Sequence, residues 1–230
     1  MNQPLPTQYG TLDDVSVVRN RVLRNTYWLL ALTMLPTVLG AWLGVQMHFS
    51  LFAGSPMLSF ILFLAIAFGF FYGIERTKNS GMGVVLLLGF TFFMGLMLSR
   101  MIEQVLHFAN GPQLIMTAFG GTAVVFGAMA SIATTSKRDF SGLSSWLFAG
   151  VIVMLLAGVA NIFLQMPVLQ IVISLVAVVI FSAYILFDVQ RIINGGETNY
   201  ISATLAIYLD LYNVFVNLLA LLGIFGGERD

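Results

Sequence analysis

The chain has 230 residues, of which 59% are hydrophobic and only 9% are charged, and its formal net charge is zero. A soluble protein usually has about 25% charged residues, so this composition excludes an ordinary soluble domain. A neutral chain offers no basic surface for nucleic acid. The absence of cysteine excludes disulfides, thiolate metal sites and cysteine nucleophiles. We therefore expect an integral membrane protein whose main partner is the lipid bilayer.

The N-terminal segment is polar and contains three arginines within its first 24 residues. The apolar stretch that follows is too long for a signal peptide, and no small-residue cleavage site closes it. We therefore predict a cytoplasmic tail at residues 1–24, a membrane domain at 25–225 and a short C-terminal tail at 226–230.

The charged residues divide the membrane domain into apolar stretches. Each stretch must be helical, because lipid offers no hydrogen-bond partner to an unpaired peptide group, and about 20 residues cross the hydrocarbon core. Turns are indicated by residues 50–56, 110–112 and 165–167, which contain glycine or proline. The sequence predicts an all-α fold with seven transmembrane helices. The predicted spans are 26–47, 55–74, 81–99, 113–134, 144–164, 168–190 and 201–223.

The basic residues predict the orientation of the bundle. With seven spans, one side of the membrane holds Arg100 and Arg229, and the other side holds the remaining eight lysines and arginines. Because basic loops stay in the cytoplasm, we expect a cytoplasmic N-terminus and a C-terminus on the opposite side of the membrane.

Asp210 is the most informative polar residue, because it lies well inside an otherwise uncharged span. A carboxylate at that depth costs on the order of 3 kcal/mol by insertion scales, so it should face protein or water. Asn213 and Asn217 follow at helical spacing and share its face. We therefore expect the last helix to lie at the centre of the bundle. The alternative is that Asp210 only hydrogen-bonds neighbouring helices.

Asp188 is the second candidate and follows Tyr184 at the cytoplasmic end of the sixth span. The sixth and seventh spans run antiparallel and are joined by a short loop, so Asp188 and Asp210 can lie at similar depth. Two carboxylates in a low-dielectric site cannot both ionise cheaply and would titrate as a unit. Such a pair is a proton switch or a site for a hard cation such as Ca²⁺. The alternative is that Asp188 lies in headgroup water at a helix end.

Arg76, at the cytoplasmic end of the second span, is the candidate cationic partner of the two aspartates. A guanidinium can bridge carboxylates and so hold two helices together. The alternative is that Arg76 only sets the topology. The chain contains two histidines, so a histidine metal site is not expected, and we predict no cofactor apart from Ca²⁺ as a bound or transported ion.

Three C-terminal segments carry a family resemblance. Residues 182–192 (SAYILFDVQRI), 195–200 (GGETNY) and 206–217 (AIYLDLYNVFVN) resemble the last two spans of the Bax inhibitor-1, or transmembrane Bax-inhibitor-motif, family. Residues 21–27 (RVLRNTY) and 160–165 (ANIFLQ) resemble its bacterial inner-membrane branch, which includes a modulator of the FtsH protease.

The resemblance implies seven helices with the last one enclosed by the other six. It also implies a pH-sensitive Ca²⁺ leak, because some members use an aspartate on each of the last two helices as the sensor. By motif match these are Asp188 and Asp210, and Arg76 is the nearest match to the latch arginine of the family. Tyr184, Asn213 and Asn217 are candidate supporting groups. The acidic residue that some members carry within the second helix is absent here.

Together with the two buried aspartates, the resemblance therefore implies a cation leak channel of the bacterial inner membrane, with a periplasmic C-terminus, and no enzyme. The alternative is a non-transporting modulator that binds and restrains an FtsH-type membrane protease. An intramembrane aspartyl protease is disfavoured because Asp210 follows Ile-Tyr-Leu and not the required Gly-x-Gly. A retinal protein is disfavoured because the last span has no lysine.

Overall fold

In a computed structural model of the chain, residues 12–51 and 55–227 are described, with no side-chain detail for 12–18 and 56. These residues form seven α-helices and a short 3₁₀ helix, and all seven are long and apolar enough to span a membrane. The predicted all-α polytopic fold is thereby confirmed. The elements are α1 (Leu12–Gln46), α2 (Pro56–Thr77), α3 (Gly81–Leu106), α4 (Gly111–Thr135), the 3₁₀ helix (Ser141–Leu143), α5 (Ser144–Leu164), α6 (Pro167–Ile193) and α7 (Tyr200–Gly226).

The helices begin and end where the turn residues predict. A proline lies in the first turn of α2, α4 and α6, where a missing N–H costs no hydrogen bond. Ser55 caps α2 by accepting a hydrogen bond from Leu58 N. Gln165 ends α5 in a left-handed conformation with φ 51°. The chain therefore reverses between α5 and α6 with only Gln165 and Met166 outside the helices.

Two predicted boundaries differ from the structure by more than three residues. Helix α1 already begins at Leu12, within the segment predicted to be a tail, because nothing between residues 12 and 24 interrupts a helix. Helix α3 continues to Leu106, past the predicted end at residue 99. Arg100 marks the predicted limit of that span, but a charge at the membrane edge need not end a helix, since long side chains reach the interface. Residues 1–11 and 228–230 lie outside the described residues.

Helix α7 lies at the centre of the bundle, as predicted. It contacts α1, α2, α3, α4 and α6. Among the described residues α5 has no contact with α7, because it packs on the outer side of α6 and on the 3₁₀ helix. The expectation that all six other helices enclose the last one is therefore wrong for α5. The polar residues of α7 consequently lie among five helices and away from lipid.

Helices α1 and α3 form the closest pair, and glycines permit it. A Cβ at Gly95 would lie 2.1 Å from Thr37 O, and a Cβ at Gly40 would lie 2.2 Å from Phe92 O. Gly44, one turn after Gly40, likewise leaves no room for a side chain, because a Cβ there would lie 2.5 Å from Ser99 Cβ, so both glycines permit close helix approach. Gly69, by contrast, has open space where a side chain would project.

Polar contacts gather four segments at one end of the bundle, which we call the basic end. Arg19 Nη1 donates to Ile193 O at 3.4 Å, and Asn199 Nδ2 donates to Lys78 O at 3.0 Å. Gln190 Nε2 donates to Arg138 O at 2.7 Å. At the opposite end, Asn110 Nδ2 donates to Gly226 O. The side of the membrane on which the basic end lies remains a prediction from the charge distribution.

Candidate proton and cation site

The structure brings Asp188 of α6 and Asp210 of α7 together. Their carboxyl groups are within hydrogen-bonding contact of each other. Two carboxyl oxygens can form a hydrogen bond only when one of them carries a proton. A proton shared between the two carboxyl groups would therefore stabilise this arrangement.

Asp210 is the more enclosed member of the pair. Its side chain is 5% exposed, and its Oδ2 atom finds no hydrogen-bond donor among the described residues. Asp188 is half-buried and lies nearer the basic end of its helix. A buried polar oxygen without a donor costs about 1–3 kcal/mol. The partners that can relieve this cost are a proton shared with Asp188 or a cation.

The pair forms because α7 starts farther toward the basic end than α6 ends. Asp188 lies five residues before Ile193, the last residue of α6. Asp210 lies ten residues after Tyr200, the first residue of α7. The difference is five residues, or about 8 Å of helix. Asn199 fixes this offset, since its side chain caps α7 through Ile201 N and also bonds to Lys78 O.

Two charged groups near the basic end act on Asp188. Arg191, one turn farther along α6, and Glu197, in the α6–α7 loop, both interact with it electrostatically. Arg191 also contacts Glu197, with Nη2 and Oε2 3.8 Å apart. Attraction from Arg191 and repulsion from Glu197 thus reach Asp188 from the same side.

Arg76 does not contact the aspartates in this structure. It is exposed, and its Nη1 donates to Tyr72 OH at 2.9 Å within α2. Among the described residues α2 packs on α3 and α7 but has no contact with α6. In this conformation Arg191, and not Arg76, lies near Asp188, and the latch role of Arg76 stays a prediction. The sequence placed Arg76 at the correct end of the bundle but could not show which helices are neighbours.

The predicted supporting groups are only partly near the pair. Tyr184 lies one turn before Asp188 on α6 and is within electrostatic range of both aspartates. Asn213 and Asn217 donate to Leu209 O and Asn213 O, both at 2.8 Å, along their own helix. Each amide thus donates within its own helix, and neither asparagine is hydrogen-bonded to the aspartates.

Two tyrosines of α7, Tyr208 and Tyr212, contact helices other than α6. The Tyr208 hydroxyl shares a hydrogen bond of 2.9 Å with Thr37 Oγ1 of α1 and donates to Thr91 O of α3 at 3.4 Å. Tyr212 OH donates to Met94 O at 3.3 Å. These hydroxyls attach α7 to α1 and α3 from the side opposite α6. They are part of the support of Asp210 and not of the site itself.

The residues that the sequence reasoning missed lie in the motif that carries the resemblance. Gln190 and Arg191 follow Asp188 within residues 182–192, and Glu197 lies within 195–200. Their place in that motif was a signal. Residue type and spacing alone could not separate a structural glutamine or a site arginine from ordinary charges at a helix end.

The pair supplies few ligands for a metal ion. Among the described residues no group of three or more His, Cys, Asp or Glu side chains could hold one. Ca²⁺ takes six to eight oxygen ligands, and two carboxylates supply at most four. The site therefore suits a proton or a cation in transit better than a tightly held structural ion.

The sequence matches the family model described as "Inhibitor of apoptosis-promoting Bax1" over residues 19–227. The chain belongs to the Bax inhibitor-1 family. The match covers all seven helices apart from the first residues of α1, so the two aspartates and their neighbours lie within the matched region.

Relatives in this family come from several bacteria. An uncharacterized membrane protein of Vibrio cholerae is 38% identical, over 97% of this chain and 98% of the relative. The protein named modulator of FtsH protease YccA from Escherichia coli K12 is 40% identical, over 89% of this chain and 90% of its own length. An uncharacterized protein of Campylobacter jejuni is 36% identical, over 90% and 89%. Bacterial Bax inhibitor-1 proteins therefore align with this chain almost end to end.

Proposed function

We propose that this Bax inhibitor-1 family protein is a pH-sensitive cation leak channel, with Ca²⁺ as the candidate ion, in which the Asp188–Asp210 pair holds the closed state. The observation that carries the proposal is the contact between two carboxyl groups on adjacent helices, one of them almost fully buried. An ionisable group at this depth in a membrane helix is by default a functional candidate.

The protonation of the pair can control how firmly α6 and α7 are joined. With one shared proton the contact is a charge-assisted hydrogen bond, which is roughly twice as strong as a neutral one. The remaining negative charge is also attracted by Arg191. A second proton replaces this bond with a neutral one and removes the attraction to Arg191. Acid therefore weakens the contact between the two helices and favours opening.

The small number of ligands also favours a leak over storage. Conduction requires a site that binds an ion strongly enough to admit it and weakly enough to release it. Two carboxylates in the bundle meet that requirement for a divalent cation, whereas a complete oxygen cage would retain it. The basic end is expected to face the cytoplasm of the bacterial inner membrane, where it would expose the pair to cytoplasmic pH.

Flux through liposomes tests the proposal. The purified protein is reconstituted with a Ca²⁺ indicator inside the vesicles, and the leak is measured as the pH falls from about 8 to about 6, across the range in which a buried carboxyl pair can titrate. We expect the leak to rise with acid and Asp210→Asn to remove that response. An unchanged pH response in Asp210→Asn, or no leak in the wild type, contradicts the proposal.

A second candidate function is restraint of a membrane protease. It is favoured by the relative from Escherichia coli K12, whose name says that it modulates the FtsH protease. In this role the protein would bind an FtsH-type protease and need not transport ions. The two roles can coexist, because the leak would depend on the aspartates and the restraint on a binding surface.

Protease assays separate the two functions. Asp188→Asn and Asp210→Asn variants are expressed with an FtsH-type protease and one of its membrane substrates, and the half-life of the substrate is measured. If leak-inactive variants still lengthen the half-life as the wild type does, restraint is independent of transport. If the wild type has no effect on the half-life, the modulator role is wrong.

A further inference from the structure

Gln190 is a buried polar residue that neither the leak nor the protease role uses. It lies two residues after Asp188 on α6 and is 5% exposed. Two residues correspond to about 200° of rotation around a helix. Gln190 therefore lies on the side of α6 away from Asp188, where it faces the α4–α5 loop (residues 136–143).

Both ends of the Gln190 amide bind the backbone of that loop. Its Oε1 accepts from Phe140 N at 2.7 Å, and its Nε2 donates to Arg138 O at 2.7 Å. Short bonds to both a donor and an acceptor, made by a buried amide, fix the side chain in one orientation. Together they attach the loop to α6 within one turn of the aspartate pair.

Local contacts give the loop a defined conformation. Ser141 donates to Asp139 through its backbone N–H at 2.9 Å and through its hydroxyl at 3.0 Å. These two bonds lower the pKa of Asp139, so Asp139 stays ionised and keeps accepting them at neutral pH. Phe140 packs against the main hydrophobic core. Lys137 and Arg138 are exposed to solvent.

Each of the two helices that carry an aspartate is thus held by hydrogen bonds from a residue two positions away from that aspartate. Tyr208, two residues before Asp210, holds α7 to α1 and α3. Gln190, two residues after Asp188, holds α6 to the α4–α5 loop. The residues that bind Tyr208 lie inside the bundle, whereas the loop that binds Gln190 has an exposed surface. Of the two supports, therefore, the one behind Asp188 can be reached from solution.

We propose that Gln190 is a positioning residue, through which the α4–α5 loop sets the place of Asp188 opposite Asp210. A change in the loop, such as one imposed by a protein that binds its exposed basic residues, is transmitted through Gln190 to the pair. The inference rests on the proposed leak function and adds to it a point of regulation. Because coupling between two sites is reciprocal, a change at Asp188 must also alter the loop.

Other charged groups around the pair must be held constant in any test of this idea. Helices α4 and α5, which also pack on α6, contain no charged residue. Among the residues with described side chains, those placed near this end of α6 by their interactions or by the adjoining loop include Asp210 of α7, Tyr184 and Arg191 of α6, Glu197 of the α6–α7 loop, Arg19 of α1, and Lys137, Arg138 and Asp139 of the α4–α5 loop. Substitution of an uncharged glutamine leaves all of them in place.

The test uses Gln190→Met, which keeps the length of the side chain and removes both hydrogen bonds. The matched control is Gln113→Met, the same change at an exposed position of α4. Hydrogen exchange at the Phe140 amide, measured in nanodiscs at one fixed pH, reports release of the loop. We expect a roughly tenfold increase for Gln190→Met, from the loss of two hydrogen bonds, and none for Gln113→Met.

The second readout is the cation leak and its pH profile in liposomes. We expect Gln190→Met to raise the leak at about pH 8 roughly fivefold and to flatten the pH profile, because Asp188 is no longer held opposite Asp210. The third readout is the Phe140 amide in Asp188→Asn, where reciprocity predicts a severalfold change in exchange.

The outcomes distinguish this inference from the proposed function. If Gln190→Met leaves the leak and its pH profile equal to those of Gln113→Met, the inference is overturned and the leak function is untouched. If the wild type has no leak, the proposed function fails. Hydrogen exchange at the Phe140 amide then tests the coupling by itself. A change in its exchange in Asp188→Asn then supports the coupling, and unchanged exchange overturns it.

Discussion

The Tyr208 hydroxyl and Thr37 Oγ1 lie 2.9 Å apart and join the last helix of the bundle to the first. Tyr208 is 1% exposed, and its hydroxyl oxygen also lies 3.4 Å from Thr91 O. We expect Tyr208→Phe to lower the free energy of unfolding by about 1 kcal/mol, because one buried hydroxyl is lost while Thr37 keeps its bond to Thr33 O. Thermal unfolding in detergent measures the change. Tyr72→Phe, at an exposed position, should change stability by much less.

The closeness of α1 and α3 gives a second prediction. Gly95→Ala would place a methyl group 2.1 Å from Thr37 O, and the helices must separate to admit it. We expect a loss of about 1–3 kcal/mol, typical of overpacking, measured by chemical denaturation followed by circular dichroism. Gly69→Ala is the matched control, because nothing lies within 4 Å of its added Cβ. Equal stability of the two variants would show that α1 and α3 are not packed as described.

The aspartates should behave as one unit. We expect Asp188→Asn and Asp210→Asn to be non-additive in a double-mutant cycle, with a coupling energy of about 0.5–3 kcal/mol, since each substitution already removes the shared proton. Unfolding in detergent gives the energies, and carboxyl-sensitive infrared spectroscopy follows the protons. Additive energies together with two independent carboxyl titrations would mean that the side chains do not share a proton.

The two arginines near the basic end should differ in effect. Arg191 interacts with Asp188, whereas Arg76 binds Tyr72 on the outside of α2. We therefore expect Arg191→Ala to shift the pH at which the leak is half-maximal and Arg76→Ala to leave it unchanged. Liposome flux at a series of pH values measures both. A shift caused by Arg76→Ala alone would restore the latch role implied by the family resemblance.

The absence of cysteine makes the orientation directly measurable. Gly142→Cys lies in the α4–α5 loop and Ala109→Cys lies between α3 and α4, and both positions are exposed. With an impermeant thiol reagent added to intact cells, we expect labelling of Ala109→Cys and labelling of Gly142→Cys only after lysis, because basic loops stay in the cytoplasm. The reverse pattern would invert the predicted topology.

Much of the fold follows from the sequence because its determinants are local. Gaps between charges give the spans, and Pro56, Gly111 and Pro167 fix where helices begin. The depth of Asp210 requires a protein environment, which places α7 inside the bundle. The predicted end of α3 is too early because a charged residue marks the membrane edge, whereas the backbone hydrogen bonds of the helix continue to Leu106.

The candidate site was predictable only as far as one helix or one hairpin can determine it. The Asp188–Asp210 contact follows from a short loop between antiparallel helices. The neighbourhood of the pair depends on helices that are distant in sequence. Arg76 and Arg191 have the same charge and lie at the same end, and only the lack of packing between α2 and α6 separates them. Gln190 reaches a loop some 50 residues earlier in the chain, a contact that no local pattern indicates.

The peripheral position of α5 has a consequence for how the sequence can change. Trp146, Phe148 and Phe163 are mostly exposed on its outer surface, and its packing contacts are with α6 and the neighbouring 3₁₀ helix. Lipid accepts one large apolar residue as readily as another, so exchanges among them carry little penalty. Divergence among bacterial homologues should accordingly accumulate in this helix, while the glycines between α1 and α3 resist replacement.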